Sequence, residues 1–285
     1  MENNITEKRE IDVAVISDTH LGTLGCKAEQ IHNYLQAIKT NFLVLNGDIV
    51  DVWRFSRRYF PSSHMKVIHQ IIKMMGEGTM VYYITGNHDE AFRRFVGINF
   101  ENFALENKVV LNLDGEKTWI FHGDVFDTIM HNSKWLARLG SVGYGLLTGI
   151  NKTVNTILSL FGKKNYSFAK KIKNKVKGSK DEGATKFEKT VADLAIHKGY
   201  KYAICGHIHH PVRKSISMTS GKVTYLNSGD WVENLSALEY KNKEWHLMRW
   251  DETRSAVIEN TAIEEMFTQS KKDIFLKAVR DVLKS

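Results

Sequence analysis

The sequence is poor in proline and cysteine. It has 2 prolines and 20 glycines among 285 residues, which argues against long disordered segments or linkers. The two cysteines, Cys26 and Cys205, are too few for a disulfide framework, so we expect reduced thiols in a cytoplasmic protein. A chain of this length can bury a full core, either as one large domain or as one domain with an inserted cap.

Long hydrophobic runs are also missing. The apolar stretches at residues 11–16 and 140–150 are both too short to span a bilayer. No secretory signal is visible, because residues 1–10 are polar and charged. We therefore expect a cytoplasmic protein that is either soluble or peripheral on a membrane surface.

The charge is unevenly distributed. The formal net charge is +8, yet residues 131–182 alone hold eleven lysines and arginines against Asp181 and Glu182. Such a cationic segment suggests an anionic partner: a phosphate-bearing ligand, an anionic membrane surface or nucleic acid. Apolar residues such as Leu146 and Val154 interleave with the lysines, which favours lipid over nucleic acid, where arginine and aromatic stacking are expected.

Apolar strand patterns alternate with helical patterns over residues 11–125. Strands are predicted at residues 11–17, 41–45, 80–84, 109–113 and 118–121, and helices at residues 28–39 and 63–75. Further strand patterns occupy residues 202–205, 222–226, 237–240 and 244–250. This alternation is typical of an α/β fold.

The chain is predicted to have three parts. The core comprises residues 1–127 and 199–261, and residues 128–198 form a basic helical cap insertion. Residues 262–285 form an amphipathic C-terminal helix, for which packing on the body, dimer contact and membrane contact all stay open.

Metal-competent residues follow five of the predicted strands. The segments are Asp18-Thr19-His20, Asn46-Gly47-Asp48, Gly86-Asn87-His88-Asp89, His122-Gly123-Asp124 and Gly206-His207-Ile208-His209. Each alone is a common turn or surface pattern. Five in order, at strand ends where α/β proteins bind ligands, indicate one shared site. Carboxylates, imidazoles and one amide oxygen suit manganese, iron or zinc, whereas a structural zinc usually has thiolate ligands.

The pairs Asp18/His20 and His207/His209 are expected to point into one site. This expectation assumes an extended backbone, along which side chains at i and i+2 share a face.

The ordered set resembles the calcineurin-like metallophosphoesterase superfamily, whose pattern is D-x-H, GD, GNH[ED], H and GHxH. The resemblance spans residues 18–209 and implies a four-layer α/β/β/α metallophosphoesterase sandwich. It also implies two divalent metal ions, and manganese is favoured over iron or zinc as their identity. The implied ligands of the two ions are Asp18, His20 and His209 for one, Asn87, His122 and His207 for the other, and Asp48 as a bridge.

The GNH[ED] segment supplies candidate catalytic groups. Two cations would make hydroxide available and hold the phosphoryl oxygens. His88 is the candidate transition-state stabiliser or leaving-group acid, and Asp89 is expected to orient its imidazole and raise its pKa. A compatible second role for Asp89 is to cap the helical segment that starts at Glu90.

Within the superfamily, the chain resembles the UDP-2,3-diacylglucosamine pyrophosphatases of lipid A synthesis and their histidine-bearing relatives. The resemblance rests on Gly47-Asp48-Ile49-Val50-Asp51, on His122-Gly123-Asp124 followed by Asp127, on the basic insertion, and on the stretch from Gly229 to Glu233. It implies cleavage of the diphosphate of a lipid-linked nucleotide at a membrane surface, with the cap holding the acyl chains. The chain departs from those pyrophosphatases at His88, where they carry arginine.

Several polar residues are candidates for substrate binding. Asp127, His131 and Lys134 follow the His-Gly-Asp motif, while Arg57 and Arg93 flank the metal loops. An arginine near a diphosphate can bind two of its oxygens. Each of these residues could equally be a solvated surface charge.

Two other classes of function compete with the diphosphatase. A phosphodiesterase or nuclease acting on a soluble nucleotide or nucleic acid would use the same metal site. A non-enzymatic scaffold is disfavoured because all seven metal ligands are present. Comparing hydrolysis of bis-p-nitrophenyl phosphate with that of a lipid-linked nucleoside diphosphate would separate the two enzymatic alternatives.

Overall fold

A computed structural model describes residues 8–54, 60–126 and 184–251 of the protein. The strands are β1 (Arg9–Ile16), β2 (Ile38–Asn46), β3 (Met80–Ile84), β4 (Asn99–Phe100), β5 (Phe103–Glu106), β6 (Lys108–Leu113), β7 (Glu116–Phe121), β8 (Tyr202–Cys205), β9 (Val212–Met218), β10 (Gly221–Asn227), β11 (Ser236–Lys241) and β12 (Glu244–Arg249). The helices are α1 (Ala28–Gln36), α2 (Ser62–Gly76), a 3₁₀ helix (Glu90–Phe95) and α3 (Lys186–His197).

The strands form two mixed sheets. The first sheet has the order β12-β11-β1-β2-β3-β5-β4, with β1, β2, β3 and β5 parallel to one another. The second sheet has the order β6-β7-β8-β10-β9, with β7, β8 and β10 parallel. The predicted α/β class is therefore confirmed.

Alternation along β1 separates two hydrophobic cores. Val13 and Val15 lie in the core between the two sheets, whereas Ala14 and Ile16 pack in the core that includes α1 and α2. Both faces of the strand are thus covered, which explains its nearly continuous apolar run.

Helix α3 covers the other sheet. Ile196 lies so close to Gly221 of β10 that a Cβ there would be 2.9 Å from it, and Glu188 accepts a 3.0 Å hydrogen bond from Lys214 of β9. The layers are therefore helix, sheet, sheet and helix, as the sequence resemblance implied.

The predicted elements differ from the structure in their bounds and in three missing strands. The helix expected over residues 28–39 ends at Gln36, and Ile38 begins β2 instead. Ile38 continues the helical apolar spacing but is equally buried as a strand residue, so periodicity could not separate the two. Strands β4, β5 and β9 were not predicted.

The chain divides into two compact units, Met1–Asp124 with Glu188–Ser285, and Val125–Phe187. The boundaries expected for the cap stay a prediction, and the C-terminal helix expected at residues 262–285 lies outside the described residues. No helix in the described ranges combines the length and the apolar character needed to cross a membrane.

Candidate metal centre

The loops that follow five parallel strands carry the predicted ligands. Asp18 and His20 follow β1, Asp48 follows β2 and Asn87 follows β3, all in the first sheet. His122 follows β7, and His207 and His209 follow β8, in the second sheet. Since parallel strands end at the same edge, each sheet delivers its ligands to one edge.

The ligands form overlapping groups. Asp18, His20 and His209 each place a ligand atom within 4.8 Å of the other two. Asp48, His122 and His207 form a second such group, which we call the Asp48 group, and we call the first the Asp18 group. Asp48 also lies within this distance of His20, in a third group completed by His88. Asp48 therefore stands between the two main groups.

The ligand loops have a left-handed backbone rather than the extended one assumed from the sequence. Five ligands have positive φ: Asp18 (52°), His20 (49°), Asp48 (54°), His207 (64°) and His209 (52°). Such residues cost about 1–3 kcal/mol each and persist only where the surroundings hold them. Here the Asp18 and His20 N–H groups donate to the carbonyls of Gly47 and Asp48 at 3.0 Å, so the two loops hold each other.

Glycine is required where the loops approach each other. A Cβ on Gly86 would lie 2.2 Å from Oδ1 of Asp48 and 2.6 Å from its backbone nitrogen. A Cβ on Gly206 would lie 2.7 Å from Oδ2 of Asp18. No side chain fits at either position without displacing a ligand.

Hydrogen bonds set the orientation of His122. Its Nδ1–H donates to the carbonyl oxygen of Asn46 at 2.9 Å, so in the neutral imidazole the lone pair is on Nε2. Nε2 is 3.3 Å from Oδ2 of Asp48. The lone pair of the ring therefore points at the site, as metal-binding histidines require.

Three buried atoms test whether a metal fits this site. Oδ1 of Asp18, Oδ1 of Asn87 and Nε2 of His122 have no hydrogen-bond partner among the described residues. Buried polar atoms are rarely left unpaired, because each costs about 1–3 kcal/mol. All three are ligand types for divalent cations, so the residues present fit a metal site.

The charges of the pocket favour cations. Burial alone would raise the pKa of Asp48, but the neighbouring His122 holds it below its ordinary value. Burial would likewise lower the pKa of His122, yet Asp48 raises it to about 10. Asp48 is thus ionised, and its charge favours a proton on His122. A divalent cation bound there would supply that positive charge in place of the proton.

His88 lies at the edge of this site and is held by Asp51. Its Nδ1–H donates to Oδ2 of Asp51 at 3.0 Å, and its backbone N–H donates to Oδ1 of Asp48 at 2.8 Å. Burial opposes protonation, but the hydrogen bond to Asp51 raises the pKa of His88. The exposed Trp53 packs against the imidazole, with ring centroids 5.3 Å apart.

Asp89 does not orient His88, which corrects the prediction from the sequence. Its carboxylate is fully buried and accepts hydrogen bonds from the Tyr83 hydroxyl and from the N–H groups of Ile49 and Gly86. It makes no capping hydrogen bond to the 3₁₀ helix either. Asp89 instead ties the loops after β2 and β3 together from inside, and burial raises its pKa to about 6.

Asp51 was missed as a site residue. It stood in the Gly-Asp-Ile-Val-Asp motif, three residues after Asp48, but nothing in the spacing indicated which carboxylate faces His88. Its Oδ2 also lies 3.8 Å from Nδ1 of His20, so it is placed beside both imidazoles.

The predicted substrate contacts are mostly outside the described residues. Arg57, Asp127, His131 and Lys134 all lie there, so their roles stay predictions. Arg93 is described, and its guanidinium pairs with the carboxylate of Asp124. This pairing compensates its charge within the protein, and a role in substrate binding stays a prediction.

The chain is similar to a known protein family, to named proteins and to solved structures. A family model described as calcineurin-like phosphoesterase matches residues 11–211. A protein of Aliivibrio fischeri named UDP-2,3-diacylglucosamine hydrolase is 25% identical over 82% of this chain and 97% of its own length. One of the same name from Shewanella baltica is 26% identical over 69% of this chain and 78% of its own. A solved structure of an archaeal phosphodiesterase is 14% identical with a TM-score of 0.41, covering 83% of this chain and 98% of its own.

Proposed function

Because the chain belongs to the calcineurin-like phosphoesterase family and is a metal-dependent hydrolase, we propose that it cleaves a diphosphate with two divalent metal ions. The proposed substrate is UDP-2,3-diacylglucosamine or a similar lipid-linked nucleotide, met at a membrane surface. The observation that carries the proposal is the pair of three-ligand groups, of which one contains Asp48 and the other includes its neighbour His20. In this proposal Asp18, His20 and His209 would hold one ion and Asn87, His122 and His207 the other, with Asp48 as a ligand available to both.

The side chains of the pocket have different roles in the proposed hydrolysis. Divalent ions bound there would activate water and offset the charge on the phosphoryl oxygens. His88 is positioned to donate a proton to the departing oxygen, because its Nδ1 is occupied by Asp51 and its Nε2 stays available. Asp51 fixes the direction of this ring and stabilises its charged form.

The lipid-linked substrate is supported by the named relatives, although their identity to this chain is low. The cationic segment at residues 131–182 supports an anionic substrate and surface. The exposed Trp53, next to His88, adds apolar area at the rim of the site.

His88 supports a second candidate function, hydrolysis of a soluble phosphodiester. The pyrophosphatases that the sequence resembles carry arginine at this position. An arginine can bind two phosphate oxygens at once, whereas His88 uses Nδ1 to bind Asp51 and can offer only one donor, Nε2–H, to a phosphate. A substrate with a single phosphate group needs fewer donors than a diphosphate.

The decisive experiment is an assay of the metal-depleted protein after Mn²⁺ is restored. Release of UMP from UDP-2,3-diacylglucosamine in detergent is measured beside hydrolysis of bis-p-nitrophenyl phosphate, with Asp48→Ala as the inactive control. Mn²⁺-dependent UMP release that the variant lacks supports the diphosphatase. Turnover of the diester alone would reject the lipid substrate and keep the second candidate, whereas no turnover of either would overturn both.

A further inference from the structure

The loop between β10 and β11 contacts two ligands of the Asp18 group. The backbone N–H of Trp231 donates to the carbonyl oxygen of Asp18 at 3.2 Å. The side-chain Nδ2 of Asn234 donates to the carbonyl oxygen of His209 at 2.9 Å. This one loop therefore joins the segment after β1 to the segment after β8, which lie far apart in the chain.

The loop is itself firmly held. The indole of Trp231 is fully buried and packs against Tyr34 of α1, with ring centroids 5.2 Å apart. The carbonyl of Trp231 accepts a 3.0 Å hydrogen bond from the N–H of Lys27, just before that helix. The loop is therefore held in place by α1 and the residue before it, independently of the metal ligands that it contacts.

Asp230 organises the loop from within. Its carboxylate is 1% exposed. Oδ1 accepts hydrogen bonds from the backbone N–H groups of Val232, Glu233 and Asn234 at 2.8, 2.6 and 3.2 Å. Oδ2 accepts one from the side chain of Asn234 and faces Nδ1 of His209 at 4.0 Å. Asp230 thus fixes the amide that holds His209 and adds a negative charge beside its ring.

The His209 ring is oriented so that its Nδ1 faces the carboxylate of Asp230. Nε2 is 3.0 Å from Oδ1 of Asp18 and 3.5 Å from Nε2 of His20, so Nε2 is the nitrogen that faces the Asp18 group. A ligand nitrogen needs a free lone pair, which puts the proton on Nδ1. A carboxylate beside Nδ1 favours that tautomer, and such outer contacts usually change metal affinity about 10- to 100-fold when removed.

We propose that Asp230 and Asn234 are positioning residues that hold His209 with Nε2 toward the metal and so determine the affinity of the Asp18 group for a divalent cation. The inference rests on the proposed function, because it assigns a role within the metal site on which that function depends. Neither residue is placed in contact with substrate.

The test isolates each ligand group and measures Mn²⁺ binding by calorimetry. The variant His207→Ala weakens the Asp48 group, so binding to the Asp18 group can be followed, and His209→Ala does the reverse. Adding Asp230→Asn is expected to weaken Mn²⁺ binding about 10- to 100-fold in the His207→Ala background and to leave it unchanged in the His209→Ala background. Asn234→Ala, which removes the contact to the His209 carbonyl, should give the same pattern.

A matched control separates positioning from stability. Glu239 is also a buried carboxylate, but it pairs with Arg9 in the first sheet. Glu239→Gln should lower the melting temperature without changing Mn²⁺ affinity. Equal Mn²⁺ affinity with and without Asp230→Asn would overturn the inference while the proposed function stands. Failure of the unaltered protein to bind Mn²⁺ would overturn both.

Discussion

Replacement of Gly86 by alanine should disable the enzyme. The new Cβ would lie 2.2 Å from Oδ1 of Asp48, 2.6 Å from its backbone nitrogen and 2.9 Å from Cδ2 of His122. Normal contacts between carbon atoms are about 3.5–4.0 Å, so these groups must separate by about 1 Å. Part of the clash is with backbone, which a change of side-chain rotamer cannot relieve.

The expected loss follows from where that displacement falls. Asp48 lies between the two ligand groups, and its Oδ1 also accepts the hydrogen bond that places His88. A misplacement of 1 Å in a catalytic group costs about 10²-fold in rate, or about 2.7 kcal/mol of transition-state stabilisation. We therefore expect kcat/KM for bis-p-nitrophenyl phosphate, or for whichever substrate is turned over, to fall at least about 100-fold.

Gly76→Ala is the matched control. Gly76 is the last residue of α2, and a Cβ there would meet nothing within 4 Å. Alanine should leave activity unchanged and stabilise the helix by up to about 1 kcal/mol. Both variants are compared by Mn²⁺-dependent kinetics and by urea unfolding. If Gly86→Ala keeps the kcat/KM of Gly76→Ala, the packing argument for the metal loops is refuted.

Three further predictions concern the proton donor, the metal and pH. Asp51→Asn should lower kcat about 100-fold, which is the order expected for loss of general acid catalysis by His88. The Mn²⁺ affinity measured by calorimetry should stay unchanged. A parallel loss of affinity would show instead that Asp51 acts through His20. Removal of bound metal with a chelator should abolish activity and lower the melting temperature. The reason is that an ion present at 100 times its Kd adds about 2.7 kcal/mol to the free energy of unfolding. An unchanged melting temperature would contradict tight metal binding. Burial lowers the pKa of His64 from 6.5 to about 4, and its Nδ1 accepts a 2.9 Å hydrogen bond from the N–H of Gly22. Because the unfolded chain binds this proton first, up to about 3 kcal/mol of stability should be present above pH 6.5 and lost as the pH falls to 4; His64→Gln should flatten urea unfolding free energies over that range, and an unchanged slope would contradict the assignment.

The sequence predicted the ligands better than it predicted the groups around them. Aspartate and histidine after an apolar strand are informative because a parallel sheet carries every strand end to a common edge. The family and the α/β class were confirmed in this way. The extended backbone assumed for Asp18/His20 and His207/His209 was wrong, since left-handed turns depend on hydrogen bonds from loops distant in sequence.

Neighbouring positions in the chain were a poor guide to which residue supports which. Asp89 is adjacent to His88, yet its side chain turns into the core, and Asp51 takes the contact from another loop. Arg93 lies near the metal loops in sequence, but its charge is paired with Asp124. Such choices depend on the direction of each side chain, which a sequence does not contain.

By itself, then, the sequence determined the strand ends, their ligand chemistry and the family, because these depend on local hydrophobic pattern and residue type. Only the tertiary structure decided that Asp51 holds His88 and that Asp89 ties two loops together. The same is true of the contacts that Asp230 and Asn234 make with His209. The physical reason is that supporting contacts join segments far apart in the chain, and packing alone determines which side chains meet.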